Sequence, residues 1–313
     1  MGISSQEAAI NALDKLSMPK VNFVAYLKGR DEAEQAVKSA SEFRTQLHDK
    51  VLGKYTETGA KLPWAYTHDK FRLRPGEVTL WFGVNGHKKS MVTGFVAVDL
   101  MGQGHKVAIA SLEMAPAATL GRMMPQAHGT HCYKPEQVDD FIDWCDSRLW
   151  VYDRRGAVKV EAILGAIYYS AEQLGVTHFF IDSLMKCVKG EDDYNAQKDF
   201  VDSLCAAAIE LKIHIHLIHH SKKLSDPKAM PGKSDAKGSG SITDQVDNAV
   251  VVFQVPEDGK KLDEPDHCLV FTKQRNATTG WEGKLATWFD RDSLQFLGKG
   301  EKTKKYFNDN VQF

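Results

Sequence analysis

The stretch GEVTLWFGVNGHKKS, from Gly76 to Ser90, constrains the fold more than any other part of the chain. Val78 to Phe82 is a β-branched, aliphatic and aromatic run, which predicts a short buried strand. A turn of Gly83, Val84, Asn85, Gly86 and His87 follows, then Lys88, Lys89 and Ser90, and a helix-forming run from Met91. Strand, glycine-rich turn, Lys-Ser and helix come in the order of a phosphate-binding P-loop. Backbone N–H groups of the turn and the helix N-terminus are expected to face a polyphosphate. Lys89 is expected to reach its β- and γ-phosphates, and the Ser90 hydroxyl to ligate Mg²⁺. One position departs from GxxxxGK[ST]: Lys88 stands where the pattern has glycine. Glycine serves there because the turn needs φ > 0, so a side chain is expected to add about 1–2 kcal/mol of strain. Its side chain is also expected to crowd the phosphates, which leaves three outcomes open: a loop that relaxes and still binds nucleotide, one that binds but hydrolyses poorly, and one disabled for turnover. Binding is expected to be weakened rather than absent.

Beyond this loop the pattern alternates. Strands are expected at 78–82, 106–111, 149–153, 178–182, 213–219 and 248–255, separated by helices at 90–102, 117–127, 135–146, 158–174 and 194–212. Buried strands joined by helices predict an α/β fold: a mostly parallel twisted sheet with helices on both faces. HCLVFTKQRN, LATWFD and SLQFLG are expected to add antiparallel strands at one edge. Residues 1–60 carry helical patterns over Glu7–Leu16 and Asp31–Leu52, an N-terminal arm that either packs on the core or docks on a neighbouring subunit. The expected division is a helical arm over 1–60, an ATPase domain over 61–298 and a basic tail over 299–313.

Composition narrows the class. At 313 residues, with 42% hydrophobic and 26% charged residues, the chain can bury a large core. It contains no apolar run near the roughly 18 residues of a membrane span. The acidic, amphipathic start lacks the features of a secretory signal. The five cysteines lack CxxC spacing and read as reduced thiols, with no zinc site. A cytoplasmic location follows as the expectation. A net charge of −1 means that any nucleic-acid site must be local. Residues 221–241, SKKLSDPKAMPGKSDAKGSGS, supply such a place: a basic, flexible-looking loop with five lysines between two buried strands.

Phosphoryl transfer relies on positioning and charge neutralisation. Asp182, ending HFFID, has the place of a Mg²⁺-holding acid, and Glu113 in SLEM that of a water-orienting carboxylate. IHLIHH ends in His219 and His220, either of which could sense a phosphate; His214, His216 and His220 share a face. Lys273 and Arg275, two apart in TKQRN, also share a face and could stabilise phosphate charge.

In this order the segments resemble the helicase domain of DnaB-like hexameric replicative helicases, of the phage primase–helicase and mitochondrial replicative helicase type. The matching text is LPWAYTHDKFRLRPGEVTLWFGVNGHKKS, SLEM, HFFIDSL, HLIHHSKK, KGSGSITDQVDNAVVVF and FTKQRNATTGW, spanning Leu62 to Asp290. The resemblance implies a RecA-like P-loop NTPase core and a motor that assembles as a ring, expected to be a hexamer. ATP (or dATP or dTTP) and Mg²⁺ would drive it along single-stranded DNA and so unwind duplex. The resemblance assigns Gly83, Asn85, Gly86, His87, Lys88, Lys89 and Ser90 to nucleotide, and Ser90 and Asp182 to Mg²⁺. It makes Glu113 catalytic, His220 the γ-phosphate sensor with His219 as fallback, and Arg275 beside Lys273 the finger reaching a neighbour's nucleotide. Lys222, Lys223, Lys233, Lys237, Gly238, Ser239 and Gly240 correspond to the DNA-gripping loop. A primase or polymerase would be a partner and a phage the source. Residues 1–60 resemble neither a primase nor a zinc-binding domain. The rivals are a RecA-type recombinase and a DNA-binding assembly protein whose P-loop does not turn over.

Overall fold

The computed structural model describes residues 37–52, 59–132, 134–188, 193–222, 226, 229–236, 241–258, 260, 261, 263–276 and 280–307. The chain divides into two units between residues 55 and 56. In the first, a 3₁₀ turn (Ala40–Phe43) runs into helix α1 (Arg44–Val51). Phe43, Leu47 and Val51 are exposed along it. The expected helix over Glu7–Leu16 lies outside the described residues.

The second unit is built on one sheet, in the order β3-β2-β4-β5-β1-β6-β7-β8-β9. Its strands are β1 (Val78–Gly83), β2 (Val107–Ser111), β3 (Leu149–Val151), β4 (His178–Asp182), β5 (His214–His220), β6 (Asn248–Gln254), β7 (His267–Gln274), β8 (Gly283–Phe289) and β9 (Phe296–Leu297). The first six pair in parallel, whereas β6 to β9 pair antiparallel. The expected mixed sheet is therefore present, strand by strand. Helices α2 (Lys89–Gly102), α3 (Pro116–His128), α4 (Pro135–Cys145), α5 (Val160–Leu174) and α6 (Tyr194–Leu211) connect the parallel strands. A short helix, α7 (Ser241–Gln245), precedes β6 and was not expected from the polar KGSGS run. No described helix is long and apolar enough to cross a membrane.

Both faces of β1 are covered, so its residues are buried without alternation. Trp81 points into a cluster with Phe95, Val96 and Phe180, while Leu80 and Phe82 join Phe179, Phe200 and Leu204 on the other face. Leu62 and Trp64 are fully buried in this second unit, and the Trp64 indole N–H donates to the Phe296 carbonyl at 2.6 Å. At the other end of the chain, the Lys304 amine and Tyr306 hydroxyl donate to Asp99 at 3.0 and 2.6 Å.

The polar sequence of β5 has a local explanation. The His214 ring donates from Nδ1 to the Arg74 carbonyl at 2.7 Å and accepts from the Thr79 hydroxyl at 2.8 Å. The Trp81 N–H donates to His216 Nδ1, whose Nε2–H then faces His178 Nδ1, each at 3.2 Å. Burial lowers the pKa of all three imidazoles, that of His214 to about 4, so they stand neutral in the sheet.

The C-terminal ends of β1, β2, β4 and β5 leave the sheet at one edge, with Gly83 paired to His220 and Ser111 to Asp182. Gly83 sits so close to β6 that an added Cβ would lie 2.2 Å from the Val252 carbonyl oxygen. Gly83→Ala should therefore lower stability by about 3 kcal/mol, the upper end of overpacking costs, measured as a reduced urea midpoint with unchanged slope.

Candidate functional site

The turn after β1 is shaped by its backbone. Gly86 has φ +85° and Lys88 has φ 57° and ψ 27°, so Lys88 occupies the left-handed conformation that the glycine pattern implies. The Lys88 amine lies 4.5 Å from the centre of the Phe289 ring, at the end of β8. His87 is fastened the same way: Nδ1 accepts from the Gln254 backbone N–H at 3.1 Å, and the ring meets Phe253 edge-on. The P-loop is thus braced from β6 and β8, a pair of contacts that offsets part of the strain at Lys88.

Lys89 opens α2 and is buried. Its amine donates to the Gly83 and Val84 carbonyls at 3.1 and 2.9 Å. Burial pushes its pKa down to about 8, against the opposing pull of Asp182 and Glu113. Ser90, one residue on, hydrogen-bonds Asp182 at the end of β4. Asp182 is buried, and desolvation raises its pKa while that hydrogen bond opposes the rise. A buried carboxylate facing a hydroxyl at the mouth of a phosphate loop is a hard-oxygen donor pair, which fits Mg²⁺ bound jointly with phosphate oxygens.

Glu113 follows β2 and stands across from His220, which ends β5. His220 Nε2 lies 3.8 Å from Glu113 Oε1, an ion-pair separation longer than a hydrogen bond. The Ser183 hydroxyl donates to the same carboxylate oxygen at 2.8 Å. His220 first, then Ser183, hold the Glu113 pKa down at about 2 in spite of partial burial. An open cleft of about 630 Å³ is lined by Asn85, Glu113 and His220 together with Arg155 and Lys186. His219 faces the other way and is fully buried, so the fallback position does not line this cleft.

Lys273 and Arg275 are brought together, but not with the P-loop of their own chain. The Lys273 amine donates to the Thr243 and Asp244 carbonyls, and Arg275 donates to the Asp244 carbonyl and pairs with Asp247 at 3.6 Å. Desolvation, then Arg275 beside it, pushes the Lys273 pKa down to about 8. The Arg275 N–H bonds the Asp247 carbonyl, and the Asp247 N–H bonds that of Val78, the first residue of β1. The P-loop leaves from the last residue of β1, so this cationic pair occupies the opposite edge of the sheet.

Of the basic loop, Lys222 and Lys233 are described. The Lys222 amine donates to the Ser234 carbonyl at 3.0 Å, and Lys233 begins a 3₁₀ turn, Lys233–Asp235. Lys223, Lys237, Gly238, Ser239 and Gly240 lie outside the described residues. Sequence reasoning missed Ser183, Arg155 and Lys186. Ser183 and Lys186 sit in the same FIDSLMK run as Asp182, and the basic pair of VYDRRG follows β3 at the sheet edge that carries the other groups.

The sequence matches the AAA domain family over residues 41–226. Two solved structures share the fold. One, of a DnaB-like replicative helicase and its interactions with primase, superposes at a TM-score of 0.69 with 16% identity, covering 83% of this chain and 67% of the other. The second, described as an ATPase domain, gives a TM-score of 0.72 with 15% identity, covering 84% of this chain and 99% of the other.

Two measurements check this geometry. Lys88→Ala keeps the left-handed residue but loses the ring contact, and should cost about 0.5–1 kcal/mol of stability in urea unfolding. Lys88→Gly loses the contact but relieves the strain, and should lie within about 1 kcal/mol of the parent. Protonation gives the second check. The Lys89 amine, at about 8, is largely neutral in the free protein above that pH. A bound polyphosphate raises its pKa, so nucleotide binding at a pH about one unit higher should take up protons, seen as buffer-dependent heats in calorimetry. Lys89→Ala should remove that buffer dependence.

Proposed function

Because this chain belongs to the AAA domain family and has the fold of the DnaB-like helicase domain, we propose that it is an ATP-dependent DNA helicase motor. The observation that carries the reading is the division of charged groups between two edges of one sheet. Lys89, Ser90, Asp182, Glu113 and His220 meet at the carboxyl edge, while Lys273 and Arg275 wait at the other. A site so divided is completed when a second copy offers its cationic edge to the first copy's P-loop, as in a ring. The hexamer number, the movement along single-stranded DNA and the primase or polymerase partner belong to this proposal.

In the proposed reaction the loop N–H groups and Lys89 bind the triphosphate. Ser90 and Asp182 would hold Mg²⁺, which would supply charge neutralisation at the β- and γ-phosphates. Glu113 orients a water for attack on the γ-phosphorus. Its carboxylate, held at about 2, is a weak base, so its first task is positioning, with the proton leaving late as the phosphoryl group transfers. His220, beside Glu113 and paired through β5 to Gly83, would register the γ-phosphate and pass the change to the 221–241 loop that follows it. The left-handed Lys88 favours a working P-loop over a disabled one, since the residue adopts the backbone that the turn needs.

ATP turnover should rise with single-stranded DNA in the parent chain. Glu113→Gln should lower it at least ~100-fold while nucleotide still binds. Arg275→Ala and Lys89→Ala should each be inactive, yet mixing them should restore turnover, because some interfaces then pair an intact P-loop with an intact Arg275. No restoration on mixing, with rings present, would count against a finger acting between subunits.

A further inference from the structure

We propose that Arg155 and Lys186 form a second phosphate subsite, in the cleft they line together with Glu113, that receives the inorganic phosphate released on hydrolysis. The inference rests on the hydrolytic reading above and assigns two cations that it leaves unused. Arg155 lies in the segment after β3, and two backbone hydrogen bonds fix that segment in place. The Gly156 N–H donates to the Leu112 carbonyl, and the Val158 N–H to the Lys186 carbonyl, both at 2.8 Å. The segment is therefore fastened on one side to the residue preceding Glu113 and on the other to the residue bearing the second cation.

Both side chains line the same cleft as Asn85, Glu113 and His220. Lys186 is half-buried, and Glu113 is the acid on which its charge acts. Arg155 is exposed and its guanidinium has no hydrogen bond or ion pair among the described residues. Charge that is positioned without a protein partner suits a ligand. The water-orienting carboxylate lines the same cleft, so the phosphate that enters it is the one being released.

Electrostatics gives the subsite a purpose. Glu113 remains ionised, because His220 and Ser183 stabilise its carboxylate. A leaving phosphate dianion must pass this negative charge. Two cations in the same cleft offset the repulsion and draw the product away from the P-loop. Arg155 can offer paired N–H donors to two phosphate oxygens, and Lys186 a point charge to a third.

The test is orthophosphate binding to the full chain loaded with ADP and Mg²⁺, followed by ³¹P line broadening, in the parent and in Arg155→Gln/Lys186→Gln. The double variant should bind orthophosphate at least ~10-fold more weakly, as expected for the loss of charge-assisted contacts. Its urea midpoint and its affinity for labelled oligo(dT) should match the parent's. Equal orthophosphate affinity in both proteins would overturn the proposal. So would unchanged orthophosphate binding with lost oligo(dT) affinity, which would give the two cations to the DNA backbone instead. Binding needs no turnover, so the two readings fail separately. A parent chain that hydrolyses no ATP yet holds orthophosphate through these cations would refute the hydrolytic reading alone.

Discussion

Everything at the carboxyl edge depends on the parallel pairing of β1 between β5 and β6. This pairing sets Gly83 opposite His220 and, through β4 and β2, brings Asp182 and Ser111 level with Trp81 and Ile218, two residues before that pair. Parallel strands linked by helices leave all their C-terminal ends on one side of the sheet, where ligands bind in open α/β folds. Four separate segments therefore deliver a lysine, a hydroxyl, two carboxylates and an imidazole to one place. Gly83 is the tightest point: only a residue without a side chain lets β1 lie against Val252 and still turn into the loop.

A sheet buried on both faces ordinarily excludes polar side chains, yet this one contains His178, His214 and His216. They are tolerated because the rings share hydrogen bonds with one another, with Thr79 and Trp81, and with the Arg74 carbonyl. The Asn248 amide extends the array by donating to Thr79 at 3.2 Å and Glu77 at 2.9 Å. Unmatched, such groups would each cost about 1–3 kcal/mol. Matched, they fix the stagger of β1, β4, β5 and β6 more strictly than interchangeable aliphatic side chains could.

The strands and the P-loop were legible because their signals are local: buried runs bounded by turns, and a glycine turn ahead of Lys-Ser. Glu113, Asp182 and His220 could be picked out because each ends or follows a strand of a parallel sheet, whose geometry makes strand ends neighbours. What stayed hidden depends on distant partners. Nothing near Lys88 in the sequence points to Phe289, which lies far along the chain and meets it only once β8 has paired with β7. Ser183 gained its role from a contact with Glu113, seventy positions away in sequence. Helix α7 arises in a glycine- and serine-rich run whose composition favours a turn, and its Ile242 is buried.

Strand β7 touches both ends of this arrangement. It starts at His267, which meets Phe289, the ring that holds Lys88, and it ends beside Lys273 and Arg275. It is hydrogen-bonded on both sides, to β6 and to β8, which stiffens it against bending. Eight consecutive residues, His267–Gln274, thus tie the ring that braces the loop to the cationic pair at the opposite edge of the sheet.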